Sequence, residues 1–223
     1  NGFFQKSDDL NGDGIISAAE MTEQGYPVQS FTTVYPGDVK YVDLTGDNTI
    51  DTNDRKAIGY SVTAPDLYYN FHLGAEYKGI GIDAMFQGVG NWTGFMTTNG
   101  LYRSAVATNT LSQYLYENSW SAERGNTENP MFPRLSTTSN ANNDVNSTLN
   151  MFDRSYLKLR YVELYWNMPK TMLSKLNIVN NLKLYVRGTD LFTIDNLDEA
   201  DAASYGVTQP LTRSLQIGAA VTF

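Results

Sequence analysis

Apolar and polar residues alternate along five segments in the C-terminal two-thirds of the chain. The segments cover residues 69–77, 80–86, 155–168, 182–192 and 213–223. Successive side chains of a β-strand point to opposite faces, so this period of two predicts strands with one apolar and one polar face. The side chains expected to face lipid from the apolar side include Ile80, Ile82, Leu164, Trp166, Leu215 and Ile217.

The lengths of these strands and of their connections favour a sheet that spans a membrane. Each strand has about ten residues, whereas strands of soluble sheets usually have five or six, and ten tilted residues cross a bilayer. Short connections at 78–79 and 169–181 alternate with long ones at 88–151 and 193–212. Outer-membrane barrels have short periplasmic turns and long extracellular loops. The pattern therefore places the C-terminus on the periplasmic side.

The predicted fold class is all-β: the C-terminal strands of a large antiparallel transmembrane β-barrel with long extracellular loops. Residues 1–65 form an extracellular loop region, and residues 66–223 supply the last five strands. Five strands cannot close a barrel, because the smallest have eight and an open edge in lipid leaves backbone groups without partners. We therefore expect the remainder of the barrel and outer-membrane lipid around this chain. Its start at Asn1, without a signal peptide, suggests part of a longer protein.

Residues 9–20 match the calcium-binding pattern of an EF-hand loop at each fixed position. Calcium takes six to eight oxygen ligands, and the 12-residue loop supplies them at alternate positions. Gly14 provides the sharp turn, and Ile16 is placed to pack behind the loop. The expected ligands are Asp9, Asn11, Asp13, the carbonyl of Ile15, Ser17 and Glu20. A polar surface turn is the alternative.

Residues 43–54 form a second loop of the same kind, with two departures from the pattern. Asn48 replaces the glycine of the turn, although Asn tolerates a left-handed backbone. Asp54 replaces the terminal Glu and is one methylene shorter. The expected ligands are Asp43, Thr45, Asp47, the carbonyl of Thr49, Asp51 and Asp54. An Asp-rich surface turn is the alternative, and prolines between the loops argue against a helical EF-hand pair.

Charge and composition exclude several functions. The chain has 24 acidic and 16 basic residues, a net charge of −8, which argues against a nucleic-acid binder. It has no Cys and a single His, His72, which lies mid-strand. Without a nucleophile motif, a phosphate loop or an acid–base pair, we expect no enzyme. The alternative function is a secreted, calcium-stabilised β-sandwich module that binds carbohydrate or protein.

Several segments resemble SusC/RagA-type TonB-dependent transporters. The segment with the most specific resemblance is Tyr35–Asp54, which reads YPGDVKYVDLTGDNTIDTND. Further resemblances lie at residues 86–90, 155–164, 184–192 and 221–223. Where the family has Asp-Gly in the loop at 43–54, this sequence has Asp47-Asn48, which departs from the family's metal-binding pattern.

The resemblance implies a large outer-membrane barrel of about 22 strands. Such transporters import oligosaccharides or peptides with energy relayed by TonB, and a surface lipoprotein of the SusD/RagB type caps the barrel. TonB would act through upstream segments that lie outside this chain. Calcium would tie down the exposed extracellular loops by reducing their entropy.

No residue of the sequence is assigned to substrate binding. Aromatic residues in the long connection could stack sugars, pack against the lipoprotein or form ordinary loop core. They are Trp92, Tyr102, Tyr114, Tyr116 and Trp120.

Overall fold

A computed structural model describes most of the chain, namely residues 2–104, 110–174, 178–197, 202–205 and 211–223. The chain divides into two compact units. Unit 1 consists of Asn1–Ile58 and Phe95–Met151, and unit 2 consists of Gly59–Gly94 and Phe152–Phe223. Most of the long connection expected at 88–151 is thus grouped with the N-terminal region.

The secondary structure of the described residues is mostly strand. The strands are β1 (Gly2–Phe3), β2 (Val28–Gln29), β3 (Val39–Lys40), β4 (Thr49–Ile50), β5 (Leu67–Tyr77), β6 (Ile80–Gly90), β7 (Thr93–Phe95), β8 (Met151–Asp153), β9 (Tyr156–Asn167), β10 (Asn181–Thr189), β11 (Thr193–Asp195) and β12 (Ser214–Thr222). The α-helices are α1 (Ala18–Glu23), α2 (Gln113–Asn118) and α3 (Lys170–Leu173), with 3-10 turns at Lys6–Asp8 and Ala202–Ser204. Among these residues, no helix is long and apolar enough to cross a membrane.

Unit 2 contains one antiparallel sheet built from the five long strands. Their order is β12–β10–β9–β6–β5, and the short β11 pairs with β9. The β5–β6 hairpin turns at Lys78 and Gly79, whose φ angles are +53° and +82°. Two central residues with positive φ match the right-handed twist of paired strands. The prediction of long alternating strands is confirmed at this level of the fold.

The structure differs from several expected strand boundaries: β5 begins at Leu67 and β10 ends at Thr189, against 69 and 192. β6 continues to Gly90, because its last residues keep pairing with the start of β5 up to Leu67. The connection expected to be a polar loop at 193–212 begins with β11. The pairing of β6 with β9 also shifts at Arg160, whose guanidinium donates to Gln87 Oε1 at 2.6 Å and to Asp190 Oδ1 at 2.9 Å.

The apolar core of the first part of unit 1 forms around the first predicted loop. Phe4, Ile16, Met21 and Val34 are buried against each other, with Tyr26 packed beside them. Ile16 therefore packs behind loop 9–20 as its position predicted, and its amide donates to the Val34 carbonyl at 2.9 Å.

A buried carboxylate, Asp38, ties the two stretches of unit 1 together. Its Oδ1 accepts from Arg134 Nε at 2.6 Å, from Asn140 Nδ2 at 3.0 Å and from Asn143 Nδ2 at 2.9 Å. Its Oδ2 accepts from the Tyr35 amide at 3.0 Å. Four donors, one of them charged, offset the cost of burying the carboxylate. The Pro-Gly-Asp part of Tyr35–Asp54, the segment that resembles SusC/RagA-type transporters, thus has a structural role in unit 1.

The glycine that precedes Asp38 is required by both conformation and space. Gly37 has a φ of +91°, where residues with a Cβ are strained. A Cβ at this position would lie 2.7 Å from Trp120 Cδ2 and 2.8 Å from Arg134 Cβ. Both contacts are shorter than van der Waals separation, so a larger residue would displace the side chains around Asp38.

Gly37→Ala is expected to destabilise unit 1 by about 3 kcal/mol or more, because backbone strain and overpacking add. Gly125→Ala is the matched control, since Gly125 has a φ of +72° but no atom within 4 Å of the added Cβ. That control should cost about 1 kcal/mol. Chemical denaturation followed by protease resistance of unit 1 measures both variants. Equal losses in the two variants would contradict the packing described around Asp38.

Candidate functional site

One face of the unit 2 sheet is apolar and exposed. Strand register places Ala75, Ile82, Leu164, Val186 and Ile217 in one row across the five strands. The exposed fractions are 57% for Leu164 and 82% for Ile217. Exposed contiguous apolar surface of this kind marks an interaction with an apolar partner or a membrane. A sandwich core would have buried these side chains.

The opposite face of the sheet carries a row of charged residues at the same level. Register aligns Asp83, Glu163 and Arg187 on neighbouring strands. Glu163 is buried and accepts from Lys183 Nζ at 2.6 Å and from Arg187 Nε at 2.8 Å. Two cations around one buried carboxylate offset its desolvation, and only removal of both would leave its charge uncompensated.

Other polar side chains of this face also bond across strands. Tyr165 donates its hydroxyl to Glu76 Oε2 at 3.0 Å, and Asn167 donates to the same oxygen at 3.1 Å. His72 Nε2 lies 2.8 Å from the carboxylate of Asp83. These bonds make the polar face a cross-linked wall, and they give the single histidine a structural partner.

Two tyrosines of the polar face lie over glycines of the neighbouring strand. Tyr165 pairs with Gly81, and Tyr185 pairs with Gly218. A Cβ on either glycine would overlap the tyrosine ring. The alternation in the sequence places both glycines on the polar face. It does not show which tyrosine ring lies over each glycine, because that depends on the strand register.

In loop 9–20, the first carboxylate closes the turn. The two oxygens of Asp9 accept from the amides of Gly12 and Gly14, both at 2.8 Å. Asp13 Oδ1 accepts from the Ile15 amide at 2.8 Å. The amides at positions 4 and 6 of the loop thus donate to the carboxylate at position 1. The amide at position 7 donates to the carboxylate at position 5.

The last residue of the loop, Glu20, binds back to its beginning. Its Oε1 accepts from the amides of Leu10 at 2.8 Å and Asn11 at 3.1 Å. Its Oε2 accepts from the Ser17 amide at 2.8 Å and the Ser17 hydroxyl at 2.7 Å. The Ser17 hydrogen bonds are the main cause that lowers the pKa of Glu20 to about 2. Glu20 is therefore ionised at neutral pH, and its stabilising effect is lost only as the pH falls from about 4.5 towards 2.

Loop 43–54 repeats the backbone-amide hydrogen bonds of loop 9–20 position for position. Asp43 accepts from the amides of Gly46 at 2.6 Å and Asn48 at 2.7 Å. Asp54 Oδ1 accepts from the amides of Leu44 at 2.8 Å and Thr45 at 3.1 Å. Position 6 is left-handed in both loops, with a φ of +63° at Asn48. The shorter Asp at the last position thus accepts from the same three backbone amides as Glu20, but it has no counterpart of the Ser17 hydroxyl bond.

Both terminal carboxylates of loop 43–54 are held in the ionised form. The Gly46 amide is the main cause that lowers the pKa of Asp43. The Asp51 amide is the main cause that lowers the pKa of Asp54. Hydrogen bonds from N–H groups favour the charged form of a carboxyl group.

The flanking structure is not that of a helical EF-hand pair. Loop 9–20 is followed by α1 but preceded only by the 3-10 turn Lys6–Asp8, and within the described ranges no helix borders loop 43–54. The loops do not pair with each other at position 8. The Ile16 amide bonds to Val34, whereas Ile50 pairs with Gln29. The two loops therefore do not form a helical EF-hand pair, against which the prolines between them argued.

The oxygen atoms of both loops are of the kinds that bind calcium. Their side chains, however, are not gathered into a ready metal-binding cluster. Carboxylate, amide, hydroxyl and carbonyl oxygens are the ligands that Ca²⁺ prefers. Within the part of the chain that the structure describes, no three Asp, Glu or His side chains come together as a metal-holding group. The carboxylates instead accept from loop amides. Each oxygen of Asp9 accepts one amide and keeps a lone pair for a cation, whereas each oxygen of Glu20 accepts two hydrogen bonds and would give one up on binding an ion.

The aromatic residues of the long connection are mostly packing residues. Tyr102 and Trp120 are buried, and the Tyr102 ring lies 6.1 Å from that of Phe132. Tyr116 is exposed, with the guanidinium of Arg124 at 4.1 Å above its ring. The buried pair are therefore core residues of unit 1.

Unit 1 also contains an open cleft of about 1450 Å³. Residues of loop 43–54, of the segment after it and of 144–149 line the cleft. Sequence patterns did not indicate it, because its walls come from stretches about 100 residues apart.

Two bacterial receptors are similar to this chain in sequence. TonB-dependent receptor P3 of Formosa agariphila is 29% identical over 167 residues, which cover 74% of this chain and 15% of that receptor. TonB-dependent receptor P26 of the same organism is 29% identical over 158 residues, 70% of this chain and 15% of the receptor. The chain thus spans about 15% of the length of these relatives. No protein-family model matches it.

Solved structures of RagAB share the fold. The RagAB peptide transporter matches with a TM-score of 0.60 and 19% identity over 79% of this chain and 19% of that chain. The RagAB peptide importer in the open-open state matches with a TM-score of 0.61 and 20% sequence identity. The match covers 82% of this chain and 20% of that chain. The resemblance found in the sequence is confirmed: the chain is similar to TonB-dependent receptors and has the fold of part of a RagAB transporter, in agreement with a SusC/RagA-type fragment.

Proposed function

We propose that this chain forms the C-terminal wall of an outer-membrane, TonB-dependent importer. The observation that carries the proposal is the two-sided sheet of unit 2, apolar and exposed on one face and ionic on the other. Lipid suits the first face, and a water-filled lumen suits the second. The secreted sandwich module is less favoured, since its core would bury the row through Leu164 and Ile217.

The sheet needs more strands to work as a barrel. Within the described residues, β5 and β12 are its outer strands, and each has one edge without a partner strand. In lipid, unpaired backbone groups cost several kcal/mol each. The remainder of the same barrel is therefore the proposed partner at both edges.

The connections support a sidedness for the wall. The turn at Lys78–Gly79 and the connection through α3 lie at the same end of the antiparallel sheet as Phe223. Short connections belong to the periplasmic end of outer-membrane barrels. We place the C-terminus in the periplasm and both calcium-type loops on the extracellular side.

The proposed activity is uptake of oligosaccharides or peptides, not catalysis. The relatives are named as receptors, and the structural neighbours as a peptide transporter. The proposed partners are a surface lipoprotein of the SusD/RagB type and TonB, the latter through upstream segments. The cross-linked polar face would form a rigid, hydrated wall along the path of the cargo, because its charges are already paired across strands.

We further propose that loops 9–20 and 43–54 each bind one calcium ion. The support is the shared pattern of bonds, which presents equivalent ionised carboxylates at the first and last positions of both loops. Bound calcium would neutralise these carboxylates and hold the extracellular loops in one conformation. The ion takes no part in transport chemistry.

A fluorophore at Ile217 is expected to be strongly quenched by brominated lipid, because this position faces the acyl chains. The measurement uses the intact protein in liposomes with a bimane label on Ile217→Cys. The neighbouring Gln216→Cys is the matched control, since it lies on the ionic face. It should show several-fold weaker quenching. Equal quenching of the two labels would contradict the proposed orientation.

Calcium stoichiometry tests the two loops separately. Equilibrium dialysis of the intact protein should show one ion fewer in Asp9→Asn and one fewer in Asp43→Asn than in the wild type, because each variant removes the carboxylate at position 1. Asp66→Asn, which changes an exposed acid outside the loops, should bind as many ions as the wild type. Unchanged stoichiometry in both loop variants would rule out these sites.

A further inference from the structure

The short strand β2 lies between the two proposed calcium loops. It pairs in parallel with β4, which supplies positions 7 and 8 of loop 43–54. On the other side of β2, the amide of Gln29 donates to Met21 Sδ at 3.4 Å. Met21 directly follows Glu20, the last position of loop 9–20. One strand therefore contacts the middle of one loop and the residue that follows the end of the other.

The pairing of β2 with β4 fixes the direction of one expected calcium ligand. The Val28 amide donates to the Asn48 carbonyl at 2.9 Å, next to Thr49 at position 7. The Thr49 amide instead donates to Asp47 Oδ1 at 2.9 Å, within the loop. Because the N–H and C=O groups of one residue in an extended strand point to the same side, the Thr49 carbonyl also faces the loop. A shift of β2 would therefore move this ligand.

The side chain of Gln29 holds loop 43–54 at a second point. Its Oε1 accepts from the Tyr41 amide at 2.7 Å, two residues before the first position of the loop. Its Nε2 donates to the Val39 carbonyl at 2.9 Å and to Asn142 Oδ1 at 2.7 Å. Gln29 is buried, so the loss of these partners would leave polar groups unsatisfied. Gln29 thus fixes both the entry and the middle of the loop.

The contact of β2 with Met21 reaches loop 9–20 just as directly. Glu20 and Met21 are successive residues of α1, and Met21 is packed in the core against Ile16 at position 8 of the loop. The Met21 carbonyl accepts from the Tyr26 amide at 2.8 Å, which fixes the turn that leads into β2. The two loops are therefore joined by continuous contacts that run from α1 through β2 to β4.

We propose that the two calcium loops are coupled through Gln29, so that an ion in one loop raises the affinity of the other. The inference rests on the proposed binding of calcium by both loops and adds its regulation. An ion in loop 9–20 would fix Glu20, and with it Met21 and β2. The Thr49 carbonyl would then be held in place, which leaves less backbone freedom for the second ion to remove. Such coupling is reciprocal, so the loops would fill together over a narrow range of calcium concentration.

Calcium titration of the intact purified protein by equilibrium dialysis tests the coupling. Asp9→Asn and Asp43→Asn each leave one working loop, and the double variant with both changes measures any other sites. Independent loops would make the wild-type isotherm, corrected for those other sites, equal to the sum of the two single-variant isotherms. Coupling of about tenfold between loops of similar affinity instead predicts half-saturation at about threefold lower free calcium than that sum, with a Hill coefficient of about 1.5.

Two further variants locate the coupling. Gln29→Ala removes the hold on the Tyr41 amide, and Met21→Leu removes the sulfur acceptor while it keeps a similar volume. In each background, the isotherm of both loops should approach the sum of its own single-loop isotherms. Gln5→Ala is the matched control, because the Gln5 side chain also bonds to three groups of unit 1, all outside both loops. It should keep the wild-type Hill coefficient.

The outcomes separate the coupling from the calcium sites themselves. Two ions bound independently in the wild type would overturn the coupling and leave both sites standing. Unchanged stoichiometry in both single variants would contradict the sites, and the coupling with them. If Gln29 is only a packing residue, Gln29→Ala lowers stability but keeps the wild-type Hill coefficient, which would also overturn the inference. Should Gln29→Ala fail to fold, an unchanged Hill coefficient in Met21→Leu would count equally against it.

Discussion

Backbone pairing across the five long strands is the interaction on which the rest of unit 2 depends. An apolar face can meet lipid only if the N–H and C=O groups behind it are bonded within the sheet. Among the described residues, the register between the long strands meets that requirement along their paired residues and leaves β5 and β12 as the outer long strands, each with an unpaired edge. The same requirement favours the tight turn at Lys78–Gly79 and, in the proposed barrel, calls for further strands.

The polar face carries charged side chains that are paired with opposite charges on neighbouring strands, so that they are not exposed as isolated charges. Glu163 is buried between Lys183 and Arg187, and Asp83 is held by His72. Tyrosines close the gaps above Gly81 and Gly218. The polar face is therefore internally satisfied, which suits the lumen side of the proposed importer.

The sequence predicted features whose signal is local, and it missed those that join distant segments. Alternation indicated the long strands, and the 12-residue spacing placed Ile16 behind its loop. The extension of β6 to Gly90 was missed because glycines interrupt the apolar pattern while backbone pairing continues. The bonds of Asp38 to Arg134 and Asn143, like the walls of the cleft, link residues about 100 positions apart. No period or motif encodes such pairs.

An electron cryo-microscopy map of the intact protein in a lipid nanodisc tests the central claim most directly. The account predicts that β5 and β12 each gain a further antiparallel strand on the outer edge, and that acyl chains contact Leu215 and Val221. A map in which a second protein layer covers these side chains, with β5 or β12 left as a free edge, would contradict it.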